Sequence, residues 1–248
     1  MIVPYHDRFY RDLACPEGMH RFRVEYRQTD LLVLVDRASW RPALVGLALE
    51  VVQQQHRELV AWCRRDRAFL TALEPYPLEM GAPAMARTMA EAGAVVQVGP
   101  MAAVAGAMAE MVGRRLLEEV EDVLVENGGD IFLSGRRPVK VALFAGQSPL
   151  SLAVAVEVDA STRPLSVCTS SGTVGPSLSF GRADAAVAVA PDGALADAAA
   201  TALGNRVQDP GDIPGALAWA RTVPGLTGAL VIQGDHLGAW GELRVVPS

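Results

Sequence analysis

The stretch over residues 165–205, LSVCTSSGTVGPSLSFGRADAAVAVAPDGALADAAATALGN, limits what this chain can fold into more than any other. An apolar strand ends in hydroxyls at Cys168–Ser171 and runs into a polar Gly/Ser/Thr loop. A strand of small apolar residues follows over 183–190, compatible with full burial. Pro191, Asp192 and Gly193 then supply turn chemistry ahead of a helix. Gly172 and Gly175 let the loop turn back at positive φ. On the helix Asp197 and Thr201 stand four residues apart and share a side. Two roles fit that pair. Asp197 can cap or solvate the helix while Thr201 bonds its own backbone. Alternatively, the carboxylate and hydroxyl can face the hydroxyl-rich loop and hold a hard cation such as Mg²⁺, which takes oxygen ligands and shares them with substrate phosphates.

Composition bounds the rest. Half of the 248 residues are apolar and 20% are charged, enough to bury a core and unlike a disordered chain. A net charge of −6 argues against a nucleic-acid partner, which calls for a basic face. The three cysteines, Cys15, Cys63 and Cys168, are far apart and form no CxxC pattern. Structural zinc is therefore not expected, and a reducing compartment fits. The N-terminus MIVPYHDRFYRDL lacks the apolar core of a secretory signal. The apolar regions near 94–112 and 183–203 are interrupted by Gln97, Glu110, Asp192 and Asp197, whereas a membrane span needs roughly 20 mostly apolar residues. A cytoplasmic protein without a membrane partner is expected.

In chain order, residues 20–27 alternate Phe22, Val24 and Tyr26 with Arg21, Arg23 and Glu25, which predicts a half-buried strand. Residues 31–36 complete a hairpin. A long amphipathic helix runs from Pro42 to about Cys63, with His56 at the edge of its apolar stripe. Residues 74–83 form a Pro/Gly-rich connection, 83–92 a short helix, and 94–98 a short strand. From Gly99 a small-residue segment leads into a helix to about Glu119, whose N-terminus offers free N–H groups to an anion. A strand at 122–126, an Asn127–Asp130 turn and extended structure at 131–133 follow. That turn is either a plain hairpin or a concavity of backbone amides for a phosphate. Strands at 139–145, 152–158 and 165–170 come next. After the central stretch, a helix over 212–223 starts with Asp212 as its cap and Pro214 in its first turn. Strands at 230–233 and 242–246 are expected to pair around residues 234–241. Adjacent antiparallel strands with helices on one side predict an α+β fold rather than a doubly wound parallel sheet. No G-x-G-x-x-G, Walker, G-x-S-x-G or H-E-x-x-H motif is present.

The segments GPMAAVAGAMAE (99–110), ENGGDI (126–131) and CTSSGTVGPSLSFG with ADAAATAL (168–181, 196–203) resemble, in this order, the ApbE-like superfamily. Its best-known members are flavin transferases that move FMN from FAD onto a protein threonine. The chain is most similar to a branch of short cytoplasmic ApbE-related proteins, over about its last three fifths. The resemblance implies one domain spanning 1–248, made of two fused T-fold-like halves that meet near residues 93–100. Helices would pack on one face of an antiparallel sheet, and a cleft would take a flavin dinucleotide with Mg²⁺. It places Asp197 and Thr201 as metal ligands, completed by a backbone carbonyl at or near Ala102. It assigns Gly128, Gly129 and Asp130 to the ligand's phosphate side, and Thr169, Ser170, Ser171, Gly172, Thr173 and Ser177 to ligand binding. The lysine that transferases carry before the helix glycine is Ala105 here, ahead of Gly106. Leu178 follows Ser177 where transferases have Ser-His, and Pro176 precedes it where the closer branch has histidine. The catalytic base is therefore missing by motif, with Asp130 or Asp184 as substitutes. Three readings follow: transfer or hydrolysis at a flavin diphosphate, binding of that ligand without turnover, or an assembly role as a homo-oligomer.

Overall fold

A computed structural model describes residues 17–173 and 179–248. The hairpin opens the fold, with β1 (Met19–Tyr26) paired antiparallel to β2 (Thr29–Asp36). Phe22 and Val24 are buried between exposed Arg21, Arg23 and Glu25, as the alternation demands. Helix α1 (Ala43–Arg65) buries Leu44, Ala48, Val52, Leu59, Trp62 and Cys63, a single 3.6-period stripe. His56 sits at its edge, with Nε2 3.2 Å from the Gln28 side-chain oxygen and its ring against Tyr26. The short α2 (Arg67–Thr71) and α3 (Ala84–Val96) follow.

The strand expected at 94–98 is instead the end of α3. Val95 and Val96 suggest a strand by type, but Met85, Met89, Ala92 and Val96 are all buried at helical spacing. The helix stops at Gln97, which is left-handed with φ 63°. The helix expected from Gly99 divides into a 3₁₀ turn, Pro100–Ala103, and α4 (Val104–Leu116).

The remaining strands are β3 (Val123–Asn127), β4 (Asp130–Ser134), β5 (Val139–Ala142), β6 (Val154–Val158), β7 (Leu165–Ser170) and β8 (Ala185–Ala190). After α5 (Gly193–Gly204) and α6 (Ile213–Ala220) come β9 (Gly228–Gln233), β10 (His236–Gly241) and β11 (Arg244–Pro247). Eight strands form one antiparallel sheet in the order β1-β2-β3-β4-β7-β8-β9-β10. Strands, helices, strands occur in that order from Met19 to Ser134 and again from Leu165 to Gly241.

The helices cover one face. The other carries a second sheet, β11-β6-β5, which the sequence reading does not separate from the first. Side-chain alternation sorts the two cores. Val125, Phe132, Cys168, Ala186, Ala188 and Val231 point to the helices. Ile131, Leu133, Val167, Val187 and Ile232 meet Val156 and Val158 of the small sheet and Leu143 just beyond β5. The C-terminal pairing also differs from expectation. Residues 236–241 are a strand returning on β9 through a tight turn at Gly234 (φ 61°), and β11 leaves for β6. The glycines of HLGAWG hide that strand by composition. Gly238 is needed because a Cβ there would fall 2.6 Å from Ile213 Cγ2 on α6. Asp212 does not cap α6. Its carboxylate accepts from the Gln208 and Asp209 amides and closes a capping box on the preceding 3₁₀ turn.

Candidate functional site

The site begins with the alanines of α5. Ala186, Ala188 and Ala190 of β8 face the helices, and Ala194, Ala196, Ala198, Ala199, Ala200 and Ala202 of α5 are buried. Small residues on both sides bring helix and sheet close. Along α5 only Leu195, Asp197 and Thr201 keep partial solvent access. The carboxylate and the hydroxyl, one turn apart, therefore share an accessible strip of a mostly buried helix, with Leu195 on the other side. The Thr201 hydroxyl makes no hydrogen bond among the described residues, so it does not bond back onto its own helix.

Helix α4 crosses α5 at two glycines. A Cβ at Gly106 would lie 2.2 Å from the Gly193 carbonyl oxygen, and one at Gly193 would lie 2.6 Å from that of Gly106. Each helix caps the other. Asp197 Oδ2 accepts from the Ala105 and Gly106 amides at 3.0 and 2.9 Å. Glu110 Oε2 accepts from the Gly193 amide at 2.6 Å, while its Oε1 accepts from Arg114 Nε at 2.6 Å. Asp197 thus satisfies amides that a helix start leaves open, which fixes its side chain. Its Oδ1 makes no hydrogen bond among the described residues.

The sheet delivers a second carboxylate. The register Ile131↔Val167 sets Asp130 across from Cys168. The Thr169 amide donates to Asp130 Oδ1 at 3.3 Å, and the buried Cys168 thiol lies between Asp130 and the Gly193 carbonyl, 3.8 Å from the latter. Burial and the neighbouring charge of Asp197 push the Asp130 carboxyl well above the ordinary range. Burial raises Asp197 to about 7 against the pull of its two amide donors. Burial, with both carboxylates beside it, also lifts the Cys168 thiol far above its usual value. Asn127 Nδ2 donates to the Ala105 carbonyl at 3.1 Å, tying the β3–β4 turn to the start of α4. Gly128 and Gly129 make that turn at φ 70° and 106°. The Gly129 amide donates to Glu126 Oε1 at 2.8 Å.

The hydroxyl loop leaves this corner along β7. Ser170 is buried on the strand, Ser171 is half-buried, and Gly172 and Thr173 are exposed. The Gly172 amide donates to the Ala183 carbonyl, and that of Thr173 to Ser171 Oγ. Thr173 Oγ1 donates to Asp184 Oδ1 at 3.0 Å, and the Gly234 amide holds Asp184 Oδ2 at 2.7 Å. Most amides around the corner are thus already engaged, and the groups turned outward are hydroxyls and carboxylates. Two surface hollows, of about 610 and 560 Å³, are lined by other residues, one around Glu157 and Arg163 and one around Leu78 and Ala90.

A family model described as AbpE bacteria matches residues 13–221. The chain belongs to that family. It is 40% identical over 222 residues to a UPF0280 protein of Methanocella arvoryzae, covering 89% of this chain and 88% of the relative. It is 41% identical over 213 residues to a UPF0280 protein of Methanosarcina acetivorans, covering 85% and 83%. Its fold is that of the flavinyl transferase ApbE of Pseudomonas stutzeri in its apo form, with a TM-score of 0.55 over 90% of this chain and 94% of that one. Sequence identity to it is 15%, so this likeness speaks for the fold.

In this AbpE-family chain the fold gathers Gly128, Gly129, Asp130, Thr169 and Asp197 at one corner, with Thr201 on the same strip of α5. Ala102 lies half-buried in the 3₁₀ turn leading into α4, its amide bonded to the Gly99 carbonyl at 3.2 Å. Ser171, Gly172 and Thr173 extend toward Asp184, and Ser177 lies outside the described residues. Sequence reasoning missed Glu110, Glu126 and Cys168 as members of this corner. Glu110 carried a usable signal, since it follows Gly106 by one helical turn and so shares its side. No single helix among the described residues is long and apolar enough to cross a membrane.

Proposed function

We propose that the corner between α4, α5 and the β3–β4 turn binds a flavin-type nucleotide diphosphate together with Mg²⁺. The observation that carries this reading is the partly exposed strip of α5. Among the described residues neither Asp197 Oδ1 nor the Thr201 hydroxyl has a hydrogen-bond partner there, beside the second carboxylate of Asp130. That donor set is hard oxygen and suits Mg²⁺. Asp197, Thr201 and the carbonyl of Ala102 would hold the ion, which when bound would neutralise charge on the diphosphate.

The chain's own groups do the rest. Asp197 Oδ2 stays fixed by the Ala105 and Gly106 amides, so Oδ1 is presented in one orientation. The hydroxyls of Ser171 and Thr173 lie on the accessible loop, and the Thr173 hydroxyl would have to leave Asp184 before donating to a phosphate oxygen. The Gly129 amide would first have to leave Glu126. Burial and the Asp197 charge favour the protonated form of Asp130, which makes its carboxyl a weaker candidate for the base. Asp184 is better placed to receive a proton, because it already accepts from the exposed Thr173 hydroxyl.

A second reading, binding without turnover, is favoured by Ala105. It stands where the resembled transferases carry lysine, and its amide is committed to Asp197. Incubation with FAD, Mg²⁺ and candidate acceptor peptides separates the two. Release of AMP above a protein-free control supports transfer or hydrolysis. Retention of intact FAD by the protein supports binding alone. Failure to retain FAD, FMN or ADP refutes both.

A further inference from the structure

We infer that Phe180 is the platform on which the planar heterocycle of the bound nucleotide stacks, an inference that rests on the nucleotide reading above. Of the large apolar side chains left exposed among the described residues, Leu70, Leu73, Met80, Val95, Phe180 and Val245, only Phe180 is aromatic, and it is 59% exposed. Its main chain, in contrast, is held from both sides. The Phe180 amide donates to Asn205 Oδ1 at 2.8 Å, and Gln208 Nε2 donates to the Phe180 carbonyl at 2.8 Å.

The next residue is clamped harder. A Cβ at Gly181 would fall 1.8 Å from the Gly204 carbonyl oxygen, and one at Gly172 would fall 2.1 Å from that of Gly181. Backbone therefore touches backbone across three segments. One is the hydroxyl loop, and another is the last residue of the helix that carries Asp197 and Thr201. Phe180 is fastened directly to the two elements that hold the proposed phosphate and metal groups, with its ring left in solvent. An aromatic ring with two rotatable angles offers wide contact at small entropic cost, and it accepts a flat π-system face to face.

The test titrates wild type, Phe180→Ala, Phe180→Leu and Phe180→Trp with FMN, followed by flavin fluorescence, and with ADP, followed by calorimetry, all in Mg²⁺. Thermal unfolding of the variants should match wild type because the ring is exposed. Stacking on the isoalloxazine requires that Phe180→Ala and Phe180→Leu weaken FMN about tenfold and relieve its fluorescence quenching, with ADP unchanged and Phe180→Trp restoring both. Stacking on adenine requires the same pattern for ADP with FMN unchanged. Variants that bind both ligands within twofold of wild type overturn the role of Phe180 while leaving the nucleotide reading standing. Wild type that binds neither ligand removes the nucleotide reading, and the stacking role with it.

Discussion

Replacing Asp197 with asparagine should stabilise the ligand-free protein at neutral and alkaline pH. Burial pushes this carboxyl up to about 7 in the fold, from an ordinary aspartate value of 3.8. The folded chain therefore holds a proton that the unfolded chain releases, and stability falls as pH rises between those values. The penalty is absent below about pH 4 and complete above about pH 7. At about 1.4 kcal/mol per unit, a shift of this size corresponds to a few kcal/mol. Asparagine keeps an oxygen for the Ala105 and Gly106 amides and carries no charge, so the variant escapes the penalty. Urea unfolding in a metal chelator should give Asp197→Asn an advantage over wild type that widens from pH 5 to pH 8. A difference that stays flat with pH, or a variant less stable than wild type at pH 8, would refute the reasoning. Adding Mg²⁺ should reverse the order, because binding to the folded state stabilises only the chain that retains the carboxylate, by ~2.7 kcal/mol at one hundred times the dissociation constant.

Other expectations follow from the same contacts. Gly106→Ala and Gly193→Ala each press a methyl group onto backbone at 2.2 and 2.6 Å, so the helices must part. A loss of about 1–3 kcal/mol or more in urea unfolding is expected, and equal stability would contradict the crossing. Glu110→Ala strips the first amide of α5 of its acceptor in a buried setting, which should lower stability by about 1–3 kcal/mol, read as a fall in melting temperature. The Cys168 thiol, raised by burial and two neighbouring carboxylates, should resist a thiol reagent at pH 8 in the folded protein and react fully in urea, as followed by peptide mass spectrometry.

Parts of this arrangement were legible in the sequence for identifiable reasons. Alternation located β1, the apolar run after it located β2, extended runs on either side of Asn-Gly-Gly located β3 and β4, and the i,i+4 spacing put Asp197 and Thr201 on one face of α5. The β3–β4 turn announced itself through Asn-Gly-Gly. Other parts were hidden because tertiary contacts decide them. Val95 and Val96 prefer strands by type but continue the buried stripe of α3. Cys168 reads as one more apolar strand residue until the β4–β7 register sets it opposite Asp130. The mutual capping of α4 and α5 by Asp197 and Glu110 joins residues far apart in the chain and leaves no local pattern. The assignment of β5, β6 and β11 to a separate sheet is likewise settled by which face of β4, β7 and β8 they cover, not by their own composition.

The central claim is that Asp197 and Thr201 present oxygen to a divalent ion that a nucleotide diphosphate shares. Calorimetric titration of FAD into wild type, Asp197→Asn and Thr201→Val, each with Mg²⁺ and with chelator, tests it most directly. Wild type should bind FAD at least tenfold more tightly with Mg²⁺ than with chelator, and both variants should lose that difference while remaining folded. Equal FAD affinity in wild type with and without Mg²⁺, or a Mg²⁺ effect that survives in both variants, would contradict the claim.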